Sequence, residues 1–304
     1  MRRKTRLLSV ISSIKKTLCF CVFVVNLFVF GPGYARAGTW TTLDMPGADK
    51  TEAYGIDGSN VVGRYYDDAS GWHGFLYNGS SWTTIDKPGA AGTWVYGIDG
   101  SNIVGVHADV TGHGFLYDGS GWTTLDAPGA SWTEAWGIDG SNIIGRYSDA
   151  SGNRHGFLYN GSGWTTLDMP GAYITYTYGI DGSNVVGYAD GHSFLYDGSE
   201  WTTLAMPGAY GTEAYGIDGS NIVGRCGDAS GGHGFLYNGS SWTTLDMPGA
   251  SWTEAYGIDA SHIVGLYGDT SGSHGFIYTI PEPATILIFG LGGISLILRK
   301  RSRE

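Results

Sequence analysis

Cations are scarce between Gly38 and Ile280. Lys50, Lys87, Arg64, Arg146, Arg154 and Arg225 are the whole supply. The chain has 28 Asp and Glu; setting aside Glu282 and Glu304 leaves 26 in that stretch, a charge near −20. Such a surface repels phosphate backbones, which argues against nucleic acid and leaves divalent cations or neutral sugars as better partners. Cysteine is scarcer still. Cys19 and Cys21 lie in the first apolar run and Cys226 stands alone in the body, so no internal disulfide forms there. Cys226 falls where other repeats have Tyr65 or Tyr147, which marks a packing residue rather than a nucleophile. Charged residues make up only 15%. The 52 glycines and 14% aromatics instead suit many short strands joined by tight turns, with few helices. Trp, Tyr, Ile and Val recur in register, which excludes a disordered Gly-rich chain.

The long apolar runs sit at the two ends. Basic residues from Arg2 to Lys16 precede Leu18–Phe30, and Ala35-Arg36-Ala37 follows. This reads as a secretory signal over residues 1–37, cut after Ala37. An uncleaved membrane anchor is the alternative, and export follows from both. The far end has Pro281-Glu282-Pro283, the apolar stretch Ala284–Leu298, and a basic terminus. At about 1.5 Å per residue that stretch is about 22 Å long, short for a bilayer span. The basic residues after it place that end in the cytoplasm. Residues 280–304 resemble the PEP-CTERM sorting signals of Gram-negative bacteria. The resemblance implies an exosortase-type sorting enzyme as partner, removal of the transmembrane helix, and delivery to the cell surface or exopolysaccharide matrix. A plain tail anchor is the alternative. Either way the membrane is met only through the terminal segments.

The body, residues 38–279, is one unit written six times. YGIDGSN begins at Tyr54, Tyr96, Tyr178 and Tyr215, with WGIDGSN at Trp136 and YGIDASH at Tyr256. WTT begins at Trp40, Trp82, Trp122, Trp164, Trp201 and Trp242, spaced by 42, 40, 42, 37 and 41. A period near 40 built from short strands is the signature of propeller blades. Each unit supplies strand A (ending at the Asp of GID), strand B (opening at Asn60 in the first copy), strand C (HGFLY) and strand D (WTTLD). Asp-Gly and Asn-Gly mark tight hairpins, and Pro-Gly stops strand D. The body begins on a D strand at Trp40 and ends on a C strand at His274–Tyr278. Joining these ends predicts an all-β, six-bladed propeller of four-stranded antiparallel blades, closed by the N-terminal strand. Strand A should line the axis, and Trp40 and its copies should be core.

The units resemble the HAF-repeat family of extracellular repeats. The matches are Gly55-Ile56-Asp57, Val62-Gly63 and His73-Gly74-Phe75-Leu76-Tyr77, with Gly in place of the family's Ala in five units and Ser193 in the sixth. The resemblance brings no defined activity with it.

Differences between copies are where function is sought. The spacings from the YG glycine to the VG glycine, from Phe to the next Trp and from Pro to the next YG glycine are constant. Only the B–C loop changes length, and the D–A tips keep their length but change residues. In an up-and-down blade these two connections share a face, so one rim gathers the diversity, where binding resides on rigid scaffolds. That rim carries Trp72, Trp94, Trp132, Tyr173, Tyr176, Tyr210 and Trp252. Such rings stack on sugars, or they plug the top of the ring.

The acidic B–C loops (Asp67-Asp68, Asp149, Asp228, Asp269) hold at most a weak Ca²⁺ site, and solvated turns are the better reading. No metal site or other cofactor is expected. His73, His113, His155, His192, His233 and His274 each open a strand C and are too dispersed to form a metal cluster. His107 and His262 stand apart. No catalytic residue is selected. The expectation is an exported, non-enzymatic binding or scaffold protein of a biofilm-type matrix, with exopolysaccharide as partner. A glycosidase or lyase using acids near the axis, and a purely structural self-associating protein, are the alternatives.

Overall fold

The computed structural model describes residues 38–281. The export segment with Ala37, residues Glu282 and Pro283 of the sorting motif, and the apolar run after them lie outside the described residues. Among the described residues no helix is long and apolar enough to cross a membrane.

Twenty-four strands, β1 (Thr39–Leu43) to β24 (Ser273–Thr279), form six four-stranded antiparallel sheets. This is an all-β propeller of four-stranded antiparallel blades. In the first sheet, strands A to D are Lys50–Asp57, Asn60–Asp67, Gly71–Tyr77 and Trp82–Ile85. Four further sheets repeat that order. The remaining sheet takes strands A to C from Trp252–Asp259, His262–Gly268 and β24, and its outer strand is β1. Residues Thr39 to Leu43 run antiparallel to Thr279 to Gly275. Trp40 packs on Phe276 and Tyr278 at 5.0 and 4.5 Å between ring centres. Trp82 packs on Phe75 and Tyr77 at 5.0 and 4.7 Å. The N-terminal strand therefore makes the contacts of an internal strand D.

The recurring heptapeptide is explained residue by residue. In every strand A the register shifts between the Ala, Val or Thr before the aromatic and the Gly after it, as between Ala53 and Gly55. Tyr54 is the extra residue of a β-bulge, and bulges re-aim side chains. The six bulged aromatics converge: Tyr96 stacks on Trp136 at 3.9 Å, and Tyr215 on Tyr256 at 4.4 Å. Glycine follows because the neighbouring sheet comes too close for a side chain. A Cβ on Gly55 would lie 2.7 Å from the Tyr96 carbonyl oxygen, and the same approach passes from sheet to sheet until Gly257 meets the Tyr54 carbonyl. Asp then latches the sheets together. Asp57 accepts from the Gly100 N–H at 2.8 Å, Asp99 from Gly140 at 2.7 Å, and so on around to Asp259, which accepts from Gly58 at 2.5 Å. Gly58 opens the A–B turn at φ +57°, and Ala260 holds the equivalent place at φ +49°.

The core lies between sheets. Phe75, Phe115, Phe157, Phe194, Phe235 and Phe276 are 0–1% exposed. Each contributes on the order of 2–3 kcal/mol by burial. Around Phe75 gather Ala53, Ile56 and Val61 and, from the sheet closed by β1, Leu43 and Val264. The second strand's glycine makes room for this ring: a Cβ on Gly63 would stand 2.0 Å from the Glu52 carbonyl oxygen and 2.9 Å from Phe75.

Candidate functional site

The two faces of the disc differ in how their backbone is held. On one, the A–B and C–D turns adjoin, Gly79 facing Ser59, and Asn78 bonds the N–H groups of Ser80 and Ser81. On the other, D–A tips meet B–C loops. The Asp68 N–H donates to Asp49 at 3.0 Å, Ser131 Oγ donates to the Ser148 and Asp149 carbonyls, and Tyr173 N–H donates to Asp190 at 2.8 Å. Each tip begins with a turn such as Met45-Pro46-Gly47-Ala48. There the Ala48 N–H returns to Met45 at 3.1 Å, and Gly47 sits at φ +86°, as a type II turn requires.

The aromatic residues singled out from the sequence divide on this second face. Tyr173 and Tyr210 project into solvent, 90% and 81% exposed, and Val110 of the second B–C loop is 98% exposed. Trp94, Trp132 and Trp252 are half-buried and pack with Tyr54, Tyr96, Val106 and Leu266 in a shared aromatic cluster. Tyr176 is buried at 7%. Trp72 lies between, half-buried, with the Arg64 guanidinium 4.3 Å from its ring centre. Two residues of the set thus stand free of the ring, and the others pack against or into it.

Beneath these rings runs a charged layer that the sequence reading did not single out. Strand A residues Glu52, Glu134 and Glu213 pair across to strand B residues Arg64, Arg146 and Arg225. Arg64 Nε reaches Glu52 at 2.5 Å, and Arg146 Nε reaches Glu134 at 2.8 Å. Arg225 spans two sheets, to Glu213 at 2.6 Å and Glu254 at 2.9 Å. The same carboxylates accept the axial phenols, Tyr54 Oη at 2.6 Å on Glu52. Burial raises the Tyr54 and Tyr256 phenols well above the ordinary tyrosine range. In sequence, Glu faces Arg in three units, and where strand A has Trp94 or Tyr176, strand B has Val106 or Tyr188; Glu254, facing Leu266, departs from this.

Three cavities matter. The axial channel, about 90 Å³, is lined only by the six aromatic-Gly-Ile triplets. Among the described residues no carboxylate lines it. A cavity of about 370 Å³ lies on the third sheet against the fourth, lined by Trp132, Glu134, Arg146, Ser148, Arg154 and Tyr176 among others. A third, about 270 Å³, is lined by Glu213, Arg225, Cys226 and Glu254 with nearby glycines. Cys226 is 6% exposed, and burial pushes its thiol up to about 11, so it is a packing residue and a poor nucleophile.

Five of the six strand C histidines, His73, His113, His155, His233 and His274, bond the Asp at the end of strand D, whereas His192 is exposed and has Ala205 in that place. His73 Nδ1 lies 2.6 Å from Asp86 and its Nε2 2.9 Å from Ser70 Oγ. His233 repeats this with Asp246 and Ser230, and His274 with Asp44 and Ser271. The connectivity is that of a Ser-His-Asp relay, but each hydroxyl also donates to a loop carboxylate, Ser70 to Asp67 and Ser230 to Asp228. A serine held this way, in several copies, is a loop clasp. The hydrogen bond to Asp246 raises His233, and those from Ser230 hold Asp228 down at about 2. The loop carboxylates turn inward on their own N–H groups, Asp67 accepting from Ala69 and Ser70. Among the described residues no group of three or more His, Cys, Asp or Glu is arranged to hold a metal ion.

Comparison with known proteins bears on both parts of the chain. No curated protein matches it. Solved propellers do. SapL1 lectin in complex with alpha methyl fucoside aligns at TM-score 0.50 and 15% identity, over 78% of this chain and 98% of that one. A mutant Aleuria aurantia lectin in complex with Fucalpha1-6GlcNAc aligns at 0.49 and 16%, over 81% and 100%. The β-propeller domain of the Trilobed protease from Pyrococcus furiosus aligns at 0.47 and 10%, over 80% and 99%. At these identities the likeness is one of fold. Residues 279–302 match the PEP-CTERM protein-sorting motif. That motif is the substrate signal of an exosortase, so this β-propeller chain carries a tag for export toward the cell surface.

Proposed function

We propose that the chain is a non-enzymatic binding or scaffold protein of the surface or extracellular matrix of a Gram-negative bacterium. In this reading it is a six-bladed ring of HAF-type repeats sealed by its N-terminal strand, and its variable face binds exopolysaccharide. One observation carries the reading. Residue variation and free aromatic rings are concentrated where D–A tips meet B–C loops, with Tyr173 and Tyr210 projecting from the rim. The opposite face is taken up by nearly uniform latches and turns. The sorting motif supports a surface destination. The narrow, carboxylate-free axial channel and the engaged Asp latches support a role without catalysis.

The test is retention of the purified full chain on the producer's own exopolysaccharide. The Tyr173→Ala/Tyr210→Ala double variant should lose most of that retention while its unfolding free energy stays within about 0.5 kcal/mol, as for exposed positions generally. No retention, or retention indifferent to the double change, contradicts the reading.

A further inference from the structure

The cavity on the third sheet differs from its counterparts in charge. Two of the six cations between residues 38 and 280 line it, Arg146 and Arg154. Both guanidinium groups lie near one ring: Arg146 is 4.8 Å and Arg154 6.0 Å from the Tyr176 ring centre. Glu134 neutralises Arg146, with Nε and Nη2 each 2.8 Å from its Oε2. Arg154 is exposed, donates Nη1–H to Tyr176 Oη at 2.5 Å, and makes no ion pair among the described residues. The site is left with one unbalanced positive charge inside a body near −20.

Corresponding positions lack this feature. Across from strand B, the place of Arg154 is held by Trp72, Gly112, Gly232 and Ser273 in four other sheets. Arg64 is capped by Trp72 and bonded to Glu52, and Arg225 is held between two glutamates. Among the described residues, only over the third sheet does a guanidinium, that of Arg154, stand without a carboxylate partner. A guanidinium edge matches a planar carboxylate, which accepts two parallel hydrogen bonds from it. Beside it stands Trp132, whose indole N–H is fixed on Glu134 at 2.8 Å and whose ring lies against Gly112, where a Cβ would come within 2.3 Å. A fixed indole edge gives an apolar wall for a sugar ring. The Ser131 hydroxyl stands at the rim. The volume, about 370 Å³, is at the low end of the roughly 300–1,000 Å³ usual for small-molecule sites.

We propose that this cavity binds the carboxylate of an acidic sugar, a uronic acid unit of a polysaccharide, with Arg154 on the carboxylate and Trp132 along the ring. The proposal rests on the polysaccharide reading above and narrows it to one site and one sugar class. The probes are tetragalacturonate, the neutral cellotetraose and sodium sulfate, titrated calorimetrically into the purified full chain. Tetragalacturonate should bind, more weakly as salt rises, and Arg154→Ala should weaken it by about tenfold or more, the worth of a hydrogen bond to a charged group. Arg154→Lys should recover only part of the loss, since an ammonium cannot bond bidentately. Affinity unchanged in Arg154→Ala overturns the proposal, as does displacement by sulfate at equal concentration, which would mark a bare anion hole. If cellotetraose binds instead, insensitive to Arg154→Ala but lost in Tyr173→Ala/Tyr210→Ala, the acidic-sugar site falls while the wider reading stands. If neither saccharide nor the producer's exopolysaccharide binds, both fall.

Discussion

The two faces of this disc are made from the same repeat and obey opposite rules. On the face of the A–B and C–D turns, each copy does what its neighbour does. Asp57 bonds the next sheet's turn, Asp99 the next, and the series returns to Gly58. A change there is felt by two sheets at once, so the residues are held to one solution. On the other face the B–C loops and D–A tips bond mainly to one another within a sheet. Length and residue type are free to differ because the ring does not depend on them. Rigidity on one side thus permits diversity on the other.

The comparison can be broken most forcefully at the frame. Gly145→Val places a side chain where a Cβ already stands 1.9 Å from the Glu134 carbonyl oxygen and 2.9 Å from Phe157. The strand pair and the buried ring must both shift, and the expected loss exceeds about 3 kcal/mol, the upper end for overpacking. Denaturant unfolding measures it. A loss under 1 kcal/mol would mean that the close approach of strands A and B is not obligatory. A smaller effect of opposite sign is expected at the one copy that departs from the rule. Ala260 stands at φ +49° where five copies have Gly, and its Asp218 latch is kept at 2.8 Å. Ala260→Gly should stabilise by about 1 kcal/mol, the cost of a left-handed conformation for an L residue. A thermal melt reads this directly, and a loss of stability would show that the turn tolerates Ala without strain.

Much of the frame was legible in the sequence because spacing is conserved between units within one chain. Constant intervals between Gly, Phe, Trp and Pro can only arise from identical strands and turns, and the orphaned WTT at Trp40 pointed to its partner near His274. The bulge at Tyr54 and the Asp57 latch were not legible, since both depend on how adjacent sheets approach. The rim was half legible. Tyr173 and Tyr210 stand free in solvent, whereas Trp94, Trp132 and Trp252 lean into the aromatic cluster because the bulged axial rings reach them. The charged layer is not legible in the total of cations, because it depends on where each one falls in the repeat. Arg146 is tied to Glu134 by cross-strand pairing, twelve residues apart in sequence. Arg154 has no sequence signal beyond being the one cation at its place in the repeat.

The central claim is that ligand meets the variable face and leaves the latched one alone. Amide hydrogen exchange of the full chain, with and without exopolysaccharide, tests it most directly. The account predicts slowed exchange in the D–A tips at Ser131–Trp132, Tyr173–Ile174 and Tyr210–Gly211 and in the facing B–C loops, with Gly58–Ser59, Asn78–Ser81 and their copies unchanged. Protection confined to those turns, or spread evenly over both faces, would contradict it.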